Sequence, residues 1–69
     1  MPIHSLRDIA KKIKDTRINN GLTQKQIALK LGVIQPHISR IESGRENVTF
    51  DTLSKIAKAL NKHLVIHFT

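Results

Sequence analysis

Thr23-Gln24-Lys25-Gln26-Ile27-Ala28-Leu29-Lys30-Leu31-Gly32-Val33-Ile34-Gln35-Pro36-His37-Ile38-Ser39-Arg40-Ile41-Glu42-Ser43-Gly44 reads as two short helices around a tight turn. Thr23 with Gln26 three residues on is a capping box, in which each side chain satisfies the other's backbone N–H. Ile27, Ala28 and Leu31 form the apolar stripe of the first helix, and Gly32 stops it by taking the left-handed conformation. In the second helix, over residues 35–43, Pro36 sits in the first turn, where its missing N–H costs nothing. Ile38 and Ile41 then point inward, Gly44 ends the segment, and Gln35, Ser39 and Arg40 are left on the solvent side. Two helices joined by a Gly-containing turn of three or four residues make a helix-turn-helix unit. Helices of about two turns are not stable alone, so the segments on either side must hold them.

Those flanks are also helical in pattern. Upstream, Ser5-Leu6-Arg7-Asp8 is a second capping-box pattern, and Leu6, Ile9, Ala10, Ile13 and Arg17 recur at helical spacing. Lys11, Lys12 and Asp15 fall on the opposite side, and Asn19-Asn20-Gly21 closes a helix predicted over residues 6–20. Downstream, Arg45-Glu46-Asn47-Val48 reads as a loop, and Thr49 caps a last helix. Its stripe is Phe50, Leu53, Ile56, Ala57 and Leu60, ending near Asn61. The tail then changes period. Leu64, Ile66 and Phe68 alternate with Val65 and His67, which is a strand pattern. A lone strand leaves its backbone groups unpaired, so its expected partner is the tail of a second copy, or else residues 1–4. The chain thus divides into a helical domain, 1–61, and a dimerisation strand, 62–69.

Charge narrows the partner. Twelve Lys and Arg against five Asp and Glu leave +7 on 69 residues, the footprint of a protein that meets phosphate on nucleic acid or membrane. The cations are spread among the helices and not gathered in a tail, which argues against an electrostatic membrane anchor. No apolar run approaches the roughly 20 residues needed to cross a bilayer, and the start lacks the apolar block of a signal peptide. A cytoplasmic protein is expected. With no Cys there is neither a disulfide nor a thiolate metal site. His63 and His67 would lie about 13 Å apart along a strand, too far to share one ion. There is no nucleophile elbow, no phosphate-cradling Gly loop and no cluster of acids. Neither an enzyme nor a cofactor or metal is expected. Two Phe and no Tyr or Trp give no base-stacking platform for RNA. A chain this short has a marginal core even at 39% apolar residues, and oligomerisation is a common remedy.

Leu22-Thr23-Gln24-Lys25-Gln26-Ile27-Ala28, Leu31-Gly32-Val33 and the run from Gln35 to Arg45 together resemble the phage Cro/repressor type of DNA-binding domain. The resemblance covers residues 6–61 and implies an all-α, lambda-repressor-like fold of four to five helices. In such a unit the second helix lies in the major groove and shows its N-terminal residues to base edges. Gln bonds adenine, and Arg bonds guanine, through paired hydrogen bonds. Gln35 and Arg40 are therefore expected to read bases, with Ser39 serving either base and Pro36 against a thymine methyl. Thr23, Gln24 and Lys25 offer N–H groups and positive charge to phosphate at a helix N-terminus, and His37 is a further candidate. By resemblance, the positions of Gln24, Ser43, Arg45 and Asn47 also meet the DNA backbone.

One position departs from the likeness and one pair agrees with it. The family usually has Ser or Thr where Ile34 stands; Ile cannot cap, at a cost of about 1 kcal/mol, which predicts a recognition helix starting one residue late, on Pro36. Arg17 and Glu42 match a pair that joins helix one to the end of the recognition helix. The tail adds a second resemblance, to HipB-like antitoxins, which end in a strand pairing with its copy in the dimer. Leu64, Val65, Ile66, His67 and Phe68 would form that strand here. What the likeness implies is a homodimeric repressor of a palindromic operator in double-stranded DNA, with a toxin protein, commonly a HipA-like kinase, as a further partner. The alternative it leaves is a free-standing phage-type repressor or restriction-modification controller protein without a toxin.

Overall fold

The computed structural model describes residues 5–65. Four helices follow one another: α1 (Leu6–Asn19), α2 (Gln24–Leu31), α3 (Gln35–Glu42) and α4 (Phe50–Ala59). Three of them start where a side chain replaces a missing backbone partner. Ser5 Oγ accepts the N–H of Asp8 at 3.2 Å, and Thr49 Oγ1 accepts that of Thr52 at 3.1 Å. At α2 the box is complete, with Thr23 Oγ1 accepting from Gln26 N and Gln26 Oε1 accepting from Thr23 N. Gly32 ends α2 at φ +70°, a conformation that strains any residue with a Cβ. Asn61 adopts φ +56° just past α4. Asn is among the residues that tolerate this region best.

The fourth helix start differs from the expectation. α3 begins on Gln35, not on Pro36, with Ile34 as an extended N-cap residue that makes no side-chain hydrogen bond. The His37 N–H already reaches the Ile34 carbonyl at 3.1 Å, and Pro36 carries no N–H to satisfy, so the first turn closes without a capping side chain. The vacant cap still has a cost. Ile34 is 65% exposed and contributes little by packing. Ile34→Thr, which supplies the missing acceptor, is expected to add about 1 kcal/mol of stability. A thermal melt should read this as a rise of about 4–8 °C.

Ile13, Ile27, Ala28, Ile38, Ile41, Ile56 and Leu60 form one buried cluster, against which Ile9, Leu22, Leu31, Val48, Leu53 and Ala59 pack. All four helices contribute to it, as the stripes require. One expected member is missing: Phe50 is 65% exposed. As the first residue of α4 it stands beyond the layer that Leu53, Ile56 and Leu60 cover. α1 also ends one residue before the predicted limit, with Asn20 as its cap.

Among the described residues there is no strand. Residues 62–65 are irregular, with Leu64 half-buried and Val65 exposed. Ile66, His67 and Phe68, on which the expected strand mainly rests, and its alternative partner, residues 1–4, lie outside the described residues. No described helix is long and apolar enough to cross a membrane.

Candidate nucleic-acid interface

The site is organised from a buried cation outward. Arg17, in the last turn of α1, falls on that helix's inward stripe, so its guanidinium needs partners away from water. It has three. Nε donates to Glu42 Oε2 at 2.6 Å, Nη2 to Glu42 Oε1 at 2.9 Å, and Nη1 to the Leu22 carbonyl at 2.7 Å. Two parallel bonds from one guanidinium to one carboxylate form the strongest kind of side-chain pair. Glu42 is the last residue of α3, so the pair fastens that end of the helix to α1.

The same carboxylate carries the order further. Glu42 Oε1 accepts from Gln24 Nε2 at 3.1 Å, and Gln24 Oε1 accepts from Gln35 Nε2 at 3.3 Å. A chain of four side chains therefore runs from α1 through the end of α3 and the start of α2 to the start of α3. Its last member is a candidate base reader. A Gln amide has two N–H donors and a carbonyl oxygen. With one N–H held by Gln24, Gln35 keeps the other N–H and its oxygen, the pair that adenine N7 and N6 require.

Gln35, Pro36, Ser39 and Arg40 are all exposed, on one face of α3, and His37 is half-buried beside them. Lys25, Arg45 and Asn47 are exposed as well. The structure alters what several of these side chains have to offer. The Gln24 amide is engaged with Glu42 and Gln35, so its contribution to a phosphate is its backbone N–H, one of those every helix leaves unbonded in its first turn. The Thr23 hydroxyl accepts from Gln26 N in the cap. The Ser43 hydroxyl donates to the Arg40 carbonyl at 3.0 Å and must release it before it can donate to a phosphate oxygen.

Sequence reading missed one residue here. Glu46, read only as part of a loop, places Oε2 2.8 Å from His37 Nδ1 and Oε1 3.6 Å from Arg40 Nε. Nothing periodic marks it, because the contact depends on how the loop after α3 folds back. Among the described residues no three His, Asp or Glu side chains gather into a metal site. A groove of about 550 Å³ lies between α1 and α4, where Ile9, Ile13, Leu53 and Leu60 line it and Leu64 and Val65 border it. None of the residues from 23 to 47 contributes to it.

Comparison with known proteins gives four findings. A family profile described as helix-turn-helix matches residues 13–66. The chain is similar to antitoxin HipB of Escherichia coli strain K12, at 34% identity over 64 residues, covering 93% of this chain and 73% of that protein. Among solved structures, it is similar to a chain of a HipA–HipB–O2–O3 complex, with TM-score 0.83 and 33% identity, over 100% of this chain and 97% of that one. It is also similar to the restriction-modification controller protein C.AhdI from Aeromonas hydrophila, with TM-score 0.80 and 26% identity, over 84% of each chain.

Proposed function

This chain belongs to the helix-turn-helix family of Cro/C1 type, and on that footing we propose that it is a homodimeric repressor of a palindromic DNA operator and the antitoxin of a toxin–antitoxin module. The observation that supports the DNA reading is the four-residue hydrogen-bonded chain ending on Gln35, which holds the amide we propose as a base reader beside the N-terminus of α2. Gln35 and Arg40 read base edges, and Ser39 and Pro36 complete that face. Lys25, Arg45, Asn47, His37, Thr23, Ser43 and the Gln24 N–H position the domain on phosphates. Phosphate contacts set register, while base contacts set sequence.

Two variants separate those roles. Arg40→Ala is expected to weaken operator binding by about 1–3 kcal/mol and to relax preference at one base pair. Lys25→Ala should weaken all sequences alike and reduce the salt slope by about one unit. Titrations against operator and scrambled duplex distinguish them, and an equal loss on both duplexes from Arg40→Ala would remove it from base reading.

Similarity to HipB along nearly the whole chain, and to a chain seen with HipA, supports the antitoxin role and a HipA-like kinase as the restrained toxin. A restriction-modification controller is the second reading, which the likeness to C.AhdI over 84% of each chain favours. Co-expression with the neighbouring reading frame is the test. Co-purification of a kinase-like product supports the antitoxin, and a partnerless protein beside a restriction or methylase gene supports the controller. The dimer is proposed to form through residues 62–69. Leu64 and Val65 border the α1–α4 groove.

A further inference from the structure

Glu46 is an acid among the exposed cations proposed to meet DNA, Lys25, Arg40 and Arg45. It lies in the loop between α3 and α4, and its carboxylate sits between two residues spaced one turn apart on α3, His37 and Arg40. Oε2 is closed off from water, and although His37 Nδ1 is 2.8 Å away, no N–H is aligned on it. A shielded acceptor without an aligned donor is costly to keep. The carboxylate approaches Arg40 from its Nε edge, and among the described residues no hydrogen bond engages Nη1 or Nη2.

Resting on the DNA-binding reading above, we propose that Glu46 is a positioning and specificity-determining residue: wedged between His37 and Arg40, its carboxylate aims Arg40 at a base and opposes the use of the same cation on phosphate. The physical basis is a difference between two targets. Guanine is uncharged, and a guanidinium with five donors can bond its O6 and N7 while keeping a carboxylate at its Nε edge. A phosphate in the same place is anionic. Arg40 can reach it only by leaving Glu46 or by bringing two anions together. Specificity is the difference of the two affinities, and a repulsive group that acts on one target alone enlarges it.

Glu46→Gln, which keeps shape and removes charge, is the first test. The probes are a duplex selected from a random pool by the wild-type protein and a scrambled duplex of the same composition, each titrated over a range of salt. The variant should bind the scrambled duplex about two- to fivefold more tightly, the range for one exposed ion pair. Its salt slope there should steepen by about one unit, as one cation becomes free for phosphate. The selected-to-scrambled ratio should fall. Glu46→Asp keeps the charge and shortens the reach, so it should leave the scrambled affinity near wild type and weaken the selected duplex. In an Arg40→Ala background Glu46→Gln should no longer change the ratio, whereas a merely structural loop residue would act there unchanged.

An unchanged ratio in Glu46→Gln, or a change that persists without Arg40, overturns the assignment. Wild-type protein that enriches no sequence and binds both duplexes equally overturns the DNA reading itself, and this inference with it.

Discussion

Arg17→Ala is expected to unfold this domain at temperatures where Lys12→Ala leaves it intact. Lys12 is exposed. The Arg17 side chain is 10% exposed and that of Glu42 2%, and removing the guanidinium leaves the carboxylate with the Gln24 amide as its one remaining side-chain donor. Breaking a buried pair by deleting one partner costs about 3–5 kcal/mol. The Leu22 carbonyl loses its side-chain donor in the same step. Small domains lie near the low end of the usual 5–15 kcal/mol of stability, so the loss removes most of what holds the fold. Thermal melts of the two variants decide it, and equal melting temperatures would make Arg17 an ordinary surface charge. A double variant isolates the functional share. Arg17→Met with Glu42→Leu fills the space with apolar groups, which commonly restores stability to a buried pair's site. Gln24 then has no Glu42 to hold it, and Gln35 loses the fixed orientation that the chain provided. Stability should return while operator affinity stays low.

Arg17 was visible in the sequence for a reason that extends beyond it. A cation four residues after Ile13 on an apolar stripe must be paired or misplaced, and the family resemblance supplied Glu42 as its partner. The helix limits were legible wherever a capping side chain or a glycine makes them, at Ser5, Thr23, Gly32 and Thr49. They were less so where neither does: α3 starts on Gln35 because Pro36 relieves the first turn of one N–H, an effect that outweighs the absent cap at Ile34. Phe50 shows the limit of periodicity, since a residue can lie on the correct stripe and still fall past the end of the core. The site's hydrogen bonds were the least legible. Gln24 reaches Gln35 and Glu42 across 11 and 18 residues, and those distances carry no period that a sequence displays. Glu46 is hidden in the same way, by a loop whose course is set only once α3 and α4 are packed.

Deleting residues 64–69 is expected to leave the helical domain folded while shifting the protein from dimer to monomer at micromolar concentration. Among the described residues the buried cluster runs from Ile13 to Leu60 and includes neither Leu64 nor Val65, so helical circular dichroism should persist. The dimer is another matter. In the proposed dimer a strand from one tail alone could not satisfy its own N–H and C=O groups, and two tails crossing antiparallel would. Crossing would also place Leu64, Ile66 and Phe68 of both chains on one apolar face. Burial there gains about 25 cal/mol per Å², a large increment for a core this small. Half-sites one DNA turn apart, about 34 Å, are held together only while the dimer holds. A tethered second half-site raises avidity by about 100-fold or more, beyond what any single phosphate contact contributes. Operator binding should therefore fall further on truncation than in Lys25→Ala, with the monomer still binding single half-sites weakly. Sedimentation and gel-shift titration measure the two effects separately. A truncated protein that stays dimeric and binds at full strength would move the interface away from the tail, to surfaces of the helical domain such as the groove between α1 and α4.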